Sequence, residues 1–489
     1  QGMQIAMLDN GFNDYTSSSF HAFDSVNANH AVRDTWDFVA RNQNVSDDGN
    51  HGMSCFSIIA GNIPGQFIGK CPEANFELYQ TEDNTSEYPI EEFNWACGAE
   101  RADSSGADVI SSSLGYSTFD NASLDHTYAD MNGKTTIAAI AADQAAKKGM
   151  LVFIANGNSG TDSWHYLTTP ADGDSVIAVG AVDVNGVVGS FSSYGPSSDG
   201  RIKPDVASVG VSAYLQTATG GLGFGNGTSF ACPNIAGLGT CLWQGFPEFN
   251  NMKIRNALWQ AGNISSAPDD RIGYGIPDMK KAFTNLLIDF SSANGSISNC
   301  KTIINWTSKD VSAMKYVIER KVFGETNYTK IADINTVSNI DILTNHSYQQ
   351  TDTLINVQAG TISYRIRQII DTTAATFTAV YIDTVNIVLN ASCVTTAINP
   401  VNPNNEKINI IPNPAHDQLT LRVETSNPIL SLGIDIVDMK GSSVLQFVRS
   451  KGSGAANFDL PVYRLSKGKY TIVLYDGEHL FASKEFIKL

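Results

Sequence analysis

The sequence contains no apolar run of about 18 residues or more, so no segment of it is expected to cross a membrane as a helix. Cysteine is scarce, with seven in 489 residues, which excludes a small scaffold held together mainly by disulfides. Positive charge is in deficit, because 32 Lys and Arg face 49 Asp and Glu for a net charge of −17. A field of that sign repels phosphate backbones, so nucleic acid is not expected as a partner.

Hydrophobic residues make up 42% of the chain and charged residues 17%, which is the composition of folded globular protein. A chain of 489 residues is too long for a single compact core, so roughly two to four domains are expected. The acidic surplus is compatible with an extracellular protein or with calcium binding, although simple solubility is the favoured explanation.

Residues 1–287 alternate short apolar runs with amphipathic helical stretches, a pattern typical of βαβ units. Buried strands are predicted at 4–8, 76–79, 108–112, 150–154 and 175–179. Helices are predicted at 53–60, 89–102, 135–148, 235–243, 252–261 and 277–287. We therefore expect an α/β fold in which helices flank a parallel sheet.

Short alternating strands replace the helical pattern after residue 287. Residues 288–395 predict a β-sandwich, 396–407 are rich in Pro, Asn and Thr and predict a linker, and 408–489 predict another small β domain. Cys300 and Cys393 stand near the two ends of the first sandwich, so a bridge between them is the favoured disulfide. The expected fold class is α/β followed by two small all-β sandwich modules.

Acyl transfer needs a nucleophile, a base, a carboxylate that orients the base, and donors for the developing oxyanion. Asp9 follows a predicted buried strand in Ile-Ala-Met-Leu-Asp-Asn-Gly, at the sheet edge where α/β proteins place active sites. His51, in Asp-Gly-Asn-His-Gly, directly precedes a predicted helix. Taken singly, Asp9 reads as a turn residue and His51 as a packing or surface residue.

Ser229 and Asn158 lie in glycine-rich strings. Ser229 stands in Gly-Asn-Gly-Thr-Ser-Phe-Ala-Cys-Pro, where glycines allow a tight turn before a helix, although this serine or Thr228 could simply cap that helix. Asn158 stands in Phe-Ile-Ala-Asn-Gly-Asn-Ser-Gly, and its amide could donate to an oxyanion or form an ordinary turn. Neither residue is decisive alone.

Together the four residues, in the order Asp, His, Asn, Ser, resemble the subtilisin-like serine proteases over residues 2–287. The most specific string is Gly-Thr-Ser-x-Ala-x-Pro. The resemblance implies that Ser229 is the nucleophile, His51 the base and Asp9 its orienting carboxylate. It also implies that Asn158 and the Ser229 backbone N–H bind the oxyanion.

The same resemblance implies where a peptide or protein substrate binds, with no cofactor for catalysis and with structural calcium possible. The implied substrate-binding residues are Ser113, Leu114 and Gly115 on one side, and Ala155, Asn156 and Gly157 on the other. Residue preference at the scissile bond is not predicted, because it depends on how residues 159–169 fold.

Three departures from the family pattern stand out. Only eight residues precede Asp9, where the family usually has tens, so we expect that preceding segments are missing from this sequence. His51-Gly52-Met53-Ser54 replaces the common His-Gly-Thr-His. Cys55 matches a thiol that lies beneath the catalytic histidine in some members, and Cys232 replaces the commoner serine after the nucleophile.

The two appended modules carry resemblances of their own. Residues 288–395 resemble a fibronectin type III sandwich, with Trp306 as core anchor, although a generic β-spacer without a ligand is the favoured interpretation. Residues 408–489 are similar to the sorting domain of type IX secretion cargo in Bacteroidetes, through Ile-Pro-Asn-Pro-Ala at 411–415 and Leu-Ser-Lys-Gly-Lys-Tyr at 465–470. This resemblance implies contact with the secretion machinery and a secreted or cell-surface location. A carbohydrate-binding or spacer domain is the alternative.

A secreted serine endopeptidase is thus the leading functional hypothesis. A binding or adhesion protein built on an inactive protease scaffold is the rival from another class, and it is disfavoured because all four catalytic positions are filled. An esterase or a peptide ligase stays open, since both use the same acyl-enzyme.

Overall fold

A computed structural model of the chain describes residues 2–13, 15, 32–46, 49–217, 221–311, 315–336, 342–371, 378–393, 407–477 and 479–489. The predicted linker lies outside these residues except for Lys407. Two compact units make up the chain, residues 1–352 with 361–388, and residues 353–360 with 389–489. No helix in the described part is long and apolar enough to cross a membrane.

The first unit begins with a parallel sheet and two small hairpins. Its strands are β1 (Gln4–Asp9), β2 (Val32–Asp37), β3 (Asn62–Ile63), β4 (Phe67–Ile68), β5 (Asn75–Gln80), β6 (Val109–Ser112), β7 (Leu151–Ala155), β8 (Ile177–Val182), β9 (Val206–Val209), β10 (Ala213–Gln216) and β11 (Leu222–Gly225). Seven of them form the parallel sheet in the order β2-β5-β1-β6-β7-β8-β9. The predicted α/β architecture is confirmed.

Two strands of this sheet have no counterpart in the sequence prediction. The strand β2 reads Val-Arg-Asp-Thr-Trp-Asp and lies at the sheet edge, where it is only partly buried. It therefore lacks the apolar run by which a buried strand is recognised. The strand β9, at the opposite edge, is only four residues long.

Six α-helices accompany the sheet: α1 (His51–Ala60), α2 (Ile90–Ser105), α3 (Ile137–Lys148), α4 (Thr228–Gly245), α5 (Asn251–Ala261) and α6 (Met279–Phe290). The helix α4 begins at Thr228, in agreement with the expected helix start at Thr228 or Ser229, and α1 begins at His51, two residues before the predicted helical run. Both helix starts place candidate site residues inside a first helical turn.

Helices α2 and α3 pack together over a buried core that includes Ala6 and Leu8 of β1, Trp95 of α2 and Ile154 of β7. The helix α3 starts where the hydroxyl of Thr136 accepts a hydrogen bond from the backbone N of Ala139, and its C-terminal cap is a left-handed glycine. Helices α1 and α4 pack against each other, and α4 also contacts β6, β7, β8 and β9.

The middle of the chain forms a two-layer antiparallel sandwich, as predicted. Its strands are β12 (Ser292–Ser298), β13 (Lys301–Lys309), β14 (Lys315–Lys321), β15 (Thr329–Asn335), β16 (Asn345–Thr353), β17 (Gly360–Asp371) and β18 (Thr378–Leu389), in sheets β12-β13-β16 and β15-β14-β17-β18. Trp306 is buried and meets Tyr316 edge-on at 5.5 Å between ring centroids. The narrower likeness to fibronectin type III stays a prediction.

Cys300 and Cys393 are disulfide-bonded, and the other five cysteines are free thiols. This is the pair that the sequence analysis favours. The five free thiols all belong to residues 1–287, so that region contains no disulfide.

The C-terminal strands form another antiparallel pair of sheets. The strands are β19 (Lys407–Ile411), β20 (Gln418–Thr425), β21 (Ile429–Val437), β22 (Ser443–Lys451), β23 (Gly454–Pro461), β24 (Gly468–Asp476) and β25 (His479–Lys488), in sheets β19-β20-β23 and β22-β21-β24-β25. Alternate residues of β20 are buried, including Leu419, Leu421 and Val423. A turn at 438–441 joins β21 to β22, with Gly441 at φ 80°.

Candidate active site

The carboxylate of Asp9 contacts the imidazole of His51. Asp9 ends β1, which lies between β5 and β6 in the sheet, and His51 is the first residue of α1. The distance from Asp9 Oδ1 to His51 Nδ1 is 2.7 Å. A carboxylate only accepts, so Nδ1 carries the proton in the neutral ring and Nε2 is left as an acceptor.

The thiol of Cys55 lies one helical turn beyond His51, with Sγ at 3.9 Å from Nδ1 and 4.0 Å from Nε2. Burial by itself lowers the pKa of His51, but the charge of Asp9 and the contact with Cys55 raise it, and the net result is a pKa well above the ordinary value. The ring therefore attracts a proton strongly while it stays paired with Asp9.

Ser229 is the second residue of α4. Pro233, four residues later, has no N–H, so the carbonyl of Ser229 has no partner from within the helix. That carbonyl accepts hydrogen bonds from Cys55 Sγ at 3.3 Å and from Ser113 Oγ at 2.8 Å. Both donors thereby hold the first turn of α4 next to α1 and to the end of β6.

The hydroxyl of Ser229 donates to the carbonyl of Ser113 at 3.3 Å, and no hydrogen bond joins it to His51. The neighbouring ring of Phe230 lies 5.8 Å from the His51 ring, measured between centroids. Cys55 contacts both Ser229 and the His51 ring, so the serine and the histidine share one small region.

Asn158 follows β7 and contacts the start of α4. Its Oδ1 accepts hydrogen bonds from the backbone N of Thr228 at 2.8 Å and from the Thr228 hydroxyl at 3.0 Å. The same hydroxyl accepts a hydrogen bond from the backbone N of Gly157 at 3.2 Å. With Oδ1 engaged in this way, the amide N–H groups of Asn158 are the part of the side chain that is left for a ligand.

A cleft of about 640 Å³ brings most of the predicted site residues together. From the predicted set, its lining includes Ser113, Leu114, Gly115, Ala155, Gly157, Asn158 and Ser229. Asn156 is fully buried instead, and its Nδ2 donates to the carbonyl of Ser193 at 2.8 Å. It therefore supports the cleft from behind and does not line it.

Sequence reasoning missed two parts of this lining. Thr168 lies against Gly115, where an added Cβ would come within 2.1 Å of the Thr168 hydroxyl. The other missed part is a group of carboxylates from the loop after β5, the start of α2 and the segment after β6. This group, which we call the acidic wall, consists of Glu82, Asp83, Glu87, Glu91 and Asp120. The acidic run at residues 82–92 was the signal that could have found it.

Three carboxyls of the acidic wall, those of Glu82, Glu87 and Glu91, have raised pKa values and so hold protons more tightly than free ones. Burial raises the pKa of Glu82 to about 8. Burial, with repulsion from Glu91 and Asp120, raises the pKa of Glu87 to about 7. Among the described residues, two groups have ligand atoms close enough to hold a metal ion, namely Asp9 with His51 and Cys55, and Glu82 with Glu87 and Glu91.

The C-terminal part of the chain matches a known family of its own. Residues 402–488 match the family described as secretion system C-terminal sorting domain, which confirms the predicted sorting module. The protein is therefore exported, either to the cell surface or into the medium.

Several curated proteins are similar to the N-terminal part. Subtilisin E of Bacillus subtilis (strain 168) is 30% identical over 260 residues, which cover 52% of this chain and 59% of that protein. Alkaline elastase YaB of Bacillus sp. (strain YaB) is 29% identical over 258 residues, which cover 53% and 58%. Subtilisin DY of Bacillus licheniformis is 32% identical over 224 residues, which cover 45% and 73%. The chain thus spans less than two thirds of the length of the first two.

Among solved structures, the self-cleaved protease domain of PatA matches with a TM-score of 0.45 and 24% identity, over 58% of this chain and 96% of that domain. The sequence model described as Subtilase family matches residues 1–275, which is more than half of the 489 residues. The chain therefore belongs to the subtilase family.

Proposed function

We propose that residues 1–287 are the catalytic domain of a serine endopeptidase that hydrolyses peptide bonds through Asp9, His51 and Ser229. The observation that carries this proposal is the 2.7 Å contact between Asp9 and His51, next to a serine in the first turn of a helix. The roles follow from the chemistry of these groups and from the family.

In the proposed reaction, Ser229 Oγ attacks the scissile carbonyl while His51 Nε2 accepts its proton. The hydroxyl turns from the Ser113 carbonyl toward the imidazole as substrate enters, since catalytic hydrogen bonds often tighten only in the complex. His51 then donates the proton to the leaving amine. Asp9 holds the ring by Nδ1 and stabilises the imidazolium without taking a proton.

The proposed oxyanion site has two donors, Asn158 Nδ2 and the backbone N–H of Ser229. The first N–H groups of a helix have no partner within the helix, and they stand at the positive end of its dipole. Donors that are already in place at the developing negative charge cost no reorganisation during the reaction. After the amine leaves, a water molecule that gives its proton to His51 attacks the acyl-enzyme, and the acid is released as the proton returns to Ser229 Oγ. Apart from this water the proposed mechanism uses only protein groups and needs no cofactor.

The proposed substrate is an extended peptide. Residues 113–115 follow β6, and their backbone would pair with the substrate peptide as a neighbouring strand. Ala155 and Gly157 would form the opposite wall of the cleft. For the rest of the chain we propose a spacer role at 288–395, a linker at 396–407 and contact with the secretion machinery at 408–489.

Structural calcium remains a prediction. No ligands are assigned to it: Glu82, Glu87 and Glu91 lie close enough together to share an ion, but both carboxylate oxygens of Glu91 already accept backbone hydrogen bonds.

The test is covalent labelling of the purified chain with a fluorophosphonate probe, together with hydrolysis of a peptide library. We expect one adduct on Ser229 and peptide cleavage, and neither in Ser229→Ala. A folded protein without an adduct would favour a binding protein on an inactive scaffold. An adduct with turnover of esters only, or with peptide joining in place of cleavage, would identify an esterase or a ligase.

A further inference from the structure

The acidic wall gives the cleft a one-sided charge. Five of its lining residues carry carboxylates, and none of the lining residues is Lys, Arg or His. The wall lines the same cleft as Ser229 and Asn158, so a peptide that extends along the cleft from the serine can reach it.

The carboxylates of the wall have no cationic partners in the described part of the chain. None of the five takes part in an ion pair, whereas 14 other Asp and Glu residues of the described part pair with Lys, Arg or His. Like charges that are crowded together in a partly buried site repel each other unless protons or an incoming cation neutralise them.

Glu82 shows where such a cation would bind. It is 8% exposed, and its Oε1 accepts hydrogen bonds from the buried hydroxyl of Tyr116 at 2.7 Å and from the Thr81 hydroxyl at 2.8 Å. These bonds hold the carboxylate in one orientation. Its Oε2 accepts no hydrogen bond from any described residue, although Glu82 lines the cleft, so a nine-tenths buried carboxylate presents one unused oxygen to the ligand space.

We propose that the acidic wall is a specificity site for a basic side chain of the peptide substrate, Lys or Arg, with Glu82 as its anchor and Glu87 beside it. This inference rests on the proposed function. An ammonium or guanidinium group supplies the missing donor to Glu82 Oε2. Charge-assisted hydrogen bonds of this kind are stronger than hydrogen bonds between neutral groups. The bound cation also replaces the protons that the wall holds near neutral pH.

A free divalent cation fits the wall less well. Both carboxylate oxygens of Glu91 already accept backbone hydrogen bonds, Oε1 from Asp83 at 2.8 Å and Oε2 from Tyr88 at 3.0 Å. Ca²⁺ takes about six to eight oxygen ligands. Of the three grouped carboxylates, only Glu82 and Glu87 keep an oxygen without such a bond.

The experiment compares matched peptides with the full-length protein. Arg is exchanged for citrulline, and Lys for norleucine, at each position that precedes the cleaved bond in turn. We expect one position at which the basic peptide is preferred by about 10- to 100-fold in kcat/KM. The preference should fall toward parity in Glu82→Gln, because the amide keeps the shape and loses the charge.

The ratio between two peptides is the readout, since partial unfolding lowers both rates alike. Glu87→Gln provides a second variant at a less buried position and should reduce the same ratio. Glu100→Gln, on the exposed surface of α2, should leave it unchanged.

Cleavage by the wild type without any basic preference would overturn the inference while leaving the endopeptidase proposal intact. A missing fluorophosphonate adduct on Ser229 would instead remove the endopeptidase proposal itself. Stabilisation by calcium that is lost in Glu82→Gln, with equal rates on basic and neutral peptides, would make the wall a metal site and overturn the inference.

Discussion

Asn158 and Thr228 are joined by two hydrogen bonds, both accepted by Asn158 Oδ1, from the backbone N of Thr228 at 2.8 Å and from its hydroxyl at 3.0 Å. An amide has one acceptor end and one donor end, so this contact decides which end is offered to the cleft. Thr228 directly precedes Ser229, and the proposed nucleophile and the proposed oxyanion donor are therefore positioned by the same turn of chain.

Replacing Asn158 by Ala should lower kcat by about a hundred- to a thousandfold with little change in KM, because the lost donor acts on the transition-state oxyanion. Asn158→Asp is the matched control. It keeps an acceptor for Thr228 but has no N–H to donate, so it should lose as much. Steady-state kinetics measure both variants, and a rise in KM as large as the fall in kcat would assign Asn158 to substrate binding.

Thr228→Val should lower kcat by about 2- to 12-fold, the loss expected when one hydrogen bond no longer orients the Asn158 amide. Thr228→Ser keeps the hydroxyl and should restore the rate. If Thr228 acts through Asn158, the substitution should have almost no effect on kcat in the Asn158→Ala background. An equal loss in both backgrounds would show a purely structural role for Thr228.

Activity should be lost as the pH falls through the raised pKa of His51, since the protonated ring cannot accept the serine proton. The acid limb of kcat/KM should therefore have its midpoint above the ordinary histidine value of about 6.5. Asp9→Asn removes the charge that raises this pKa, so the midpoint should move down while kcat falls by about 10⁴-fold. A wild-type midpoint at or below the ordinary value would contradict the pairing argument.

A bulky mercurial should inactivate the enzyme through Cys55, whose Sγ lies 3.9 Å from His51 Nδ1 and is fully buried. Mercury on this thiol would displace the imidazole from Asp9. Burial raises the pKa of Cys55, so the thiolate is rare and the reaction should be slow. Cys55→Ala should remain active and become resistant, while Cys232→Ala should stay sensitive. Undiminished inhibition of Cys55→Ala would point to another thiol.

Lys203→Met should destabilise the fold by about 3–5 kcal/mol, because it leaves Asp205 as a buried, unpaired charge. The side chains of this pair are 2% and 4% exposed, with Nζ and Oδ2 2.7 Å apart. Lys253 and Asp289 form a similar ion pair on the surface, with Nζ and Oδ2 2.6 Å apart and side chains that are 40% and 43% exposed. Lys253→Met should cost about 1 kcal/mol or less. Urea titration measures both, and equal losses would contradict the role of burial.

The sequence alone was enough to predict the α/β class, the all-β modules and the family to which residues 1–275 belong. Runs such as Ile-Ala-Met-Leu-Asp and the string around Ser229 are short sequence patterns. They can be recognised without knowing which elements pack against them. Edge strands escape this reasoning. β2 is half exposed and mixed in polarity, so its pairing with β5 arises from position in the sheet and not from its own composition.

Tertiary structure decided the contacts that turn these strings into a site. Pro233 frees the carbonyl of Ser229, but only the packing of α1 and β6 against α4 brings Cys55 and Ser113 to it, from 174 and 116 residues away. The acidic residues at 82–91 carry no local motif that would assign them to a site. Folding places them in the same cleft as Ser229, because the carboxyl ends of neighbouring parallel strands meet at one edge of the sheet.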